Sequence, residues 1–142
     1  MKKLMMLSAI AAIVSITACG QKLDAAKVPA AVKASFTKNF PGATAKWEKE
    51  NANYEAGFKK DGHEMSALFD ANGTMTESEM EIKVAELPTA VTTYLNTNYK
   101  GVKVKEAAKI TKAGGEVNYE AEVKGKDLIF DANGNFLKEV KD

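Results

Sequence analysis

One pentapeptide occurs twice. Phe69, Asp70, Ala71, Asn72 and Gly73 return as Phe130, Asp131, Ala132, Asn133 and Gly134, and Tyr54, Glu55, Ala56 return downstream as Tyr119, Glu120, Ala121. A unit of roughly sixty residues present twice confines the chain to architectures in which one supersecondary element is repeated and its copies stack.

The residues around these motifs say what the element is. Val28, Ala31, Val32, Phe36 and Phe40 fall three and four apart, with Pro29 at the start and Pro41, Gly42 at the end. This spacing predicts an amphipathic helix with its stop signals. Leu87, Ala90, Val91, Leu95 and Tyr99 repeat the pattern between Pro88 and Gly101. A proline in the first helical turn is tolerated because its missing N–H would have had no partner within the helix.

After each helix the period drops to two. Ala45 and Trp47, then Tyr54, Ala56 and Phe58, then Met65, Ala67 and Phe69 alternate with more polar residues. The second copy offers Val102 and Val104 with Ala108 and Ile110, then Val117, Tyr119, Ala121 and Val123, then Leu128 and Phe130. These are half-buried strands, and further strands are expected near residues 75–82 and 136–140. Lys60, Asp61, Gly62 and Lys124, Gly125, Lys126 read as tight hairpin turns, as do the two Asp-Ala-Asn-Gly segments. The expected fold is therefore α+β, with two tandem helix-plus-antiparallel-strand repeats and about eight strands in one sheet. Each copy has a single helix to cover its strands, so both helices are expected on one face. The repeats are placed at residues 28–84 and 85–142.

The N-terminus carries an address. Lys2 and Lys3 precede an apolar run over residues 4–14, and Ser15, Ile16, Thr17, Ala18 lead to Cys19, the sole cysteine. The run is too short to span a bilayer, and the small residues mark a cleavage site, so residues 1–18 read as a signal peptide. Ile16, Thr17, Ala18 and Cys19 resemble the lipobox of bacterial lipoproteins. That resemblance implies a diacylglyceryl thioether and an acylated amine on Cys19, hence a partner that is the membrane itself, reached through several acyl chains. Residues 19–27 are expected as a lipidated tether. Gly20 stands where an Asp commonly retains enteric lipoproteins at the inner membrane, so the resemblance favours the outer membrane. Gln21, Lys22, Leu23, Asp24 is similar to an export signal of some Bacteroidetes lipoproteins, with Leu23 departing from it, which leaves periplasmic and surface display both open.

With Cys19 lipidated, no thiol remains for a disulfide, and a packed core must hold the domain. Removing Lys2 and Lys3 leaves eighteen lysines against nineteen acids, with no arginine anywhere. A basic stripe rich in arginine is absent, which excludes nucleic acid as an expected partner.

The proline-opened helix, the Tyr-Glu-Ala strand and the Phe-Asp-Ala-Asn-Gly turn resemble the PepSY-like repeats of bacterial envelope proteins. That group is related in fold to the beta-lactamase inhibitory protein, whose tandem helix-plus-sheet units pair into one extended sheet. The likeness implies a non-catalytic module binding a protein or peptide of the envelope, in some members an inhibitor of peptidases or other hydrolases. It transfers a fold and not a set of contact residues.

Catalytic chemistry finds little footing. His63 is the only histidine and reads as a solvated residue at a strand start, so no His-His metal pair exists and a Ser-His-acid triad would hang on it alone. Ser66 lies nearby without a nucleophile elbow. No cofactor is expected. The acidic turns invite a calcium or small-ligand reading through Asp70, Asn72, Asp131 and Asn133. The EF-hand loop, however, requires glycine at its sixth position, where the first segment has Met75, and helices on both sides. Asn-Gly is also a common hairpin pair.

The outward-facing strand positions are the expected binding surface. Glu48, Glu55, Lys59, Glu64, Glu120, Glu122, Lys124 and Asp127 give it mixed charge. Leu68 and Ile129 stand in equivalent positions before the two Phe-Asp turns and point away from the side that buries Phe69 and Phe130. Left on the wet face, they would nucleate a protein-binding patch; alternatively they are ordinary scattered surface apolar residues, or pack against each other. Trp47 is expected in the core of the first repeat, or as an anchor if it lies at a sheet edge.

Overall fold

The computed structural model describes residues 20–141. Cys19 and the signal segment lie outside the described residues. Nine strands and two helices follow one another as β1 Gln21–Leu23, α1 Ala30–Asn39, β2 Lys46–Glu50, β3 Asn53–Lys60, β4 His63–Phe69, β5 Met75–Ile82, α2 Thr89–Asn98, β6 Ala107–Lys112, β7 Val117–Val123, β8 Lys126–Asp131 and β9 Phe136–Lys141. All strands join a single sheet whose spatial order is the chain order, and every pair in it is antiparallel. No helix among the described residues is long and apolar enough to cross a membrane.

The strand beyond the expected eight is β1, in the segment read as a tether. Leu23 pairs with Trp47 and packs on the core, and the Asp24 carboxylate accepts the Ala26 N–H at 2.9 Å to start a turn of 3-10 helix. A segment able to bury a leucine beside a tryptophan gains more by joining the sheet than by staying free.

Helix α1 puts Val32 and Phe36 into a cluster with Val28, Phe40, Trp47, Ala56, Phe58, Ala67 and Phe69. Phe36 is its centre, with ring centroids 5.1 Å from Phe58 and 5.5 Å from Trp47 in edge-on geometry. Trp47 is thus core. Helix α2 packs Val91 and Leu95 with Leu87, Ala107, Ala121, Val123, Leu128 and Phe130, while Tyr94 stacks on Phe136 at 4.9 Å. Pro29 and Pro88 sit at the N-caps, one step earlier than expected, where the Pro29 and Pro88 carbonyls accept the first helical N–H groups. Both helices end as the Phe40 and Tyr99 N–H groups donate to Phe36 and Leu95, followed by Gly42 and Gly101 at positive φ.

The repeated pentapeptide has a steric reason. In each turn the aspartate carboxylate accepts two backbone N–H groups at 2.9 Å, from Asn72 and Thr74 in one copy and from Asn133 and Asn135 in the other. The glycine then meets a helix. A Cβ on Gly73 would lie 2.5 Å from the Ala31 carbonyl oxygen, and one on Gly134 would lie 2.6 Å from the Ala90 Cβ. Both glycines also have φ of +85°, so side chains are refused twice over.

The second copy departs from expectation after its helix. Val102 and Val104 form no strand; they pack partly buried against the second cluster, and the strand begins at Ala107. It is Ala107, and not Ala108 or Ile110, that joins the cluster of α2. Asp61 with Gly62, and Lys124 with Gly125, have positive φ at both positions, the geometry of type I′ hairpins.

Candidate functional site

Residues paired directly across a ladder share a face of the sheet. One row runs Gly57, Ser66, Glu79, Ile110, Asn118, and beside it run Glu55, Leu68, Glu77, Lys112 and Glu81, Ala108, Glu120, Ile129, Lys138. None of these residues belongs to either helix-packed cluster. They share one face of the sheet.

This face is where the sequence placed Leu68 and Ile129, and they do lie there. They are not exposed. Leu68 is 8 % accessible and Ile129 is 2 %, so the expected apolar patch on a wet surface is corrected to a buried floor. On the ladders Glu55 and Glu77 pair with Leu68, and Glu120 and Lys138 pair with Ile129. The register shifts by one residue just after each of the two, and the extra residue sits on the neighbouring strand, Thr76 on β5 and Leu137 on β9, which bends locally.

The polar residues of the face are drawn in with them. Glu79 is only 5 % accessible and Asp127 3 %, and Ser66 and Asn118 are buried as well. Burial pushes the Glu79 carboxyl up to about 8, and the negative charges of Glu77, Glu55, Asp127 and Glu106 push in the same direction. Burial likewise raises Glu55 to about 7, with Glu50 and Glu48 adding like charge. Two lysines answer part of this: Lys112 pairs with Glu77, and Lys105 with Glu122 at 2.8 Å.

The remaining expected site residues are scattered. Lys124 is exposed in the β7–β8 turn, Lys59 bridges Glu64 at 3.5 Å on an open edge of the face, and Glu48 pairs across the ladder with Glu55. His63 begins β4, where its Nδ1–H donates to the Glu81 carbonyl at 3.1 Å. The acidic turns lie at the ends of the hairpins, and their carboxylates are engaged in closing them. Asn135 donates from its side chain and backbone to Asp131, which lowers the Asp131 carboxyl below its ordinary value. Among the described residues no group of three or more histidine, cysteine, aspartate or glutamate side chains is placed to hold a metal ion.

Sequence reasoning missed Glu79. Its strand reads Glu77, Glu79, Glu81 on one side, the pattern of a solvated face, and only the register opposite Ser66 and Ile110 places the middle carboxylate under cover. The arrangement sets Glu55, Glu77, Glu79 and Glu120 on one face with Lys112 and Lys138 among them.

A sequence profile of a family described as beta-lactamase-inhibitor-like and PepSY-like matches residues 14–77 and again 52–138. A BLIP-like protein of Bacteroides fragilis superposes with a TM-score of 0.64 at 31 % identity, over 78 % of this chain and 84 % of that one. A protein of Bacteroides eggerthii described as periplasmic gives a TM-score of 0.74 at 17 % identity, over 79 % and 87 % of the two chains. A domain-of-unknown-function protein of Bacteroides uniformis gives 0.72 at 21 %, over 78 % and 87 %. No curated protein sequence matches the chain.

Proposed function

The chain belongs to the PepSY-like, beta-lactamase-inhibitor-like family, and from that premise we propose that it is a non-catalytic module of the bacterial envelope that binds another protein or a peptide through the second face of its sheet. The single observation carrying this is the second face itself: three adjacent rows of strand residues, outside both helix-packed clusters, in which charged residues stand beside buried Leu68, Ile110 and Ile129.

In this reading both helices lie on the opposite face. Ala67 of the first cluster pairs with Ser78 and Ala107 of the second pairs with Ile82, and these partners are an even number of residues apart on β5, which favours one common side. The repeats occupy residues 28–84 and 85–142, joined by the β5–β6 ladder. Their likeness to a BLIP-like protein favours a partner that is a hydrolase held inactive, and the periplasmic description of the B. eggerthii relative favours export. The chain is anchored through lipids on Cys19, at the outer membrane, with the domain in the periplasm or at the cell surface.

Photo-crosslinking from intact envelopes tests this, with the crosslinker placed at Lys112 and a Glu48→Lys variant as control. One dominant partner, lost in the variant while the melting temperature holds, is the expected result. Crosslinks equal in both forms, or obtained only from the helix side, would remove the second face as the contact surface.

A further inference from the structure

Strand β9 has a neighbour on one side only among the described residues, and five of its six residues are exposed. The opposite edge, β1, is three residues long. Charged residues on an edge, lysine above all, ordinarily keep other strands from adding. Here their order admits one partner. The sequence runs Lys138, Glu139, Val140, Lys141, Asp142, so opposite charges stand at equal distances on either side of Val140. A second observation lies on the last rung of the β8–β9 ladder. Lys141 is paired with Lys126, two like charges directly opposite, which weakens a sheet. Glu139 answers Lys126 at 2.9 Å, and among the described residues no carboxylate bridges Lys141.

We propose that β9 pairs antiparallel with β9 of a second copy about a two-fold axis through Val140, so that two nine-stranded sheets become one. Such an axis stands perpendicular to the sheet and keeps each side chain on its own face. Residues opposite one another share a face, so the axis must pass through a residue. Through Lys138, Glu139 or Lys141 it would set a charge against itself. Through Val140 it sets Val140 against Val140, Glu139 against Lys141 of the other copy and Lys138 against Asp142 of the other copy, each charged pair made twice. Glu139 then has Lys126 of its own copy on one side and Lys141 of the other copy on the other, and the like-charge rung gains an acid. The contact is short beside the roughly 1,200–2,000 Å² of a stable complex, so the dimer is a weak one. Both second faces stay open and point the same way. Where the docking reading holds, the dimer therefore offers a partner two surfaces at once.

The test is disulfide crosslinking of the full chain in intact envelopes, oxidised with copper phenanthroline. The unsubstituted chain, whose one thiol is Cys19, sets the background. Only a residue on the axis meets its own copy within disulfide reach, about 4.4–6.8 Å between Cα atoms, so Val140→Cys is expected to give a dimer band and Lys138→Cys none. Adding Lys141→Glu to Val140→Cys turns two attractive pairs into two repulsive ones and is expected to cut the band about tenfold. That substitution also places an acid opposite Lys126 within the same copy, so the fold is kept, as an unchanged melting temperature should certify. Adding Glu139→Lys as well exchanges the two charges and is expected to restore the band. A Val140→Cys band no stronger than background, or matched by Lys138→Cys, would overturn the proposal. So would a band indifferent to Lys141→Glu, or one that the exchange fails to restore. None of these failures touches the docking reading, which concerns a face and not an edge.

Discussion

Gly73→Ala isolates the contact between a hairpin turn and a helix. Two costs add. At φ +85° an alanine loses about 1–2 kcal/mol relative to its ordinary backbone. Its Cβ would also stand 2.5 Å from the Ala31 carbonyl oxygen and 2.8 Å from the carbonyl carbon, in the first turn of α1. Since non-bonded carbon contacts settle near 3.5 Å, turn and helix must part by about 1 Å, and overpacking of that kind costs about 1–3 kcal/mol. The sum is ~2–5 kcal/mol. Gly62→Ala supplies the reference, because Gly62 has φ +83° and nothing within 4 Å of a Cβ, so only the backbone cost remains. Urea melts at pH 7 with a common slope should place Gly73→Ala well below Gly62→Ala in midpoint. The second copy sharpens the test. At Gly134 the nearest atom is the Ala90 side-chain Cβ at 2.6 Å, so Ala90→Gly should restore part of what Gly134→Ala loses. Ala31→Gly should restore nothing for Gly73→Ala, because the obstacle there is backbone. Equal losses for Gly62→Ala and Gly73→Ala would refute the reasoning.

Stability should fall as pH rises from 5 to 9. Glu55 and Glu79 bind protons more tightly folded than unfolded, so their contribution is complete below the ordinary glutamate value of 4.5 and is lost as pH climbs through about 7 and about 8. For Glu55 alone this is up to about 3 kcal/mol, read as a drift of the urea midpoint, and Glu79→Gln should flatten the alkaline end. Phe36→Ala should cost about 3–5 kcal/mol in the same melts, because four other aromatic rings close around it. Cys19→Ser should move the protein from the membrane fraction to the soluble one and remove the acyl mass from its N-terminal peptide. Asp131→Ala should lower stability by about 1–2 kcal/mol through loss of its turn hydrogen bonds, and an excess of calcium should leave the wild-type midpoint unchanged.

The helices and most strands were legible because apolar spacing is a local property. Val32 and Phe36, or Tyr54, Ala56 and Phe58, announce a period within a few residues. The turn motif was legible as a turn and not as a helix contact, since nothing near Gly73 in sequence says that Ala31 lies against it. Face was legible and burial was not: Leu68 and Ile129 lie on the side the alternation assigns them, but how far each is covered depends on other strands, beginning with their ladder partners Glu55, Glu77, Glu120 and Lys138. Glu79 was hidden for the same reason. The β1 strand was missed because three residues are too few to show a period, and its place depends on the distant Trp47.

A sheet that lists its strands in chain order has a kinetic consequence. Each ladder closes against the strand just made, so the chain can form by zippering outward from any hairpin, and only the β1–β2 and β5–β6 ladders must wait for a helix to be looped across. Such closure entropy grows slowly with loop length, so even those two steps are modest. Contact order is therefore low for so extended a β-structure, and refolding should be faster than a Greek-key sheet of equal size allows. It also leaves the two terminal strands as the two edges: β1, three residues long, and β9, which carries Leu137 half in solvent. Among the described residues each of these two strands is paired on one side only, which leaves a row of backbone N–H and C=O groups at each end of the sheet.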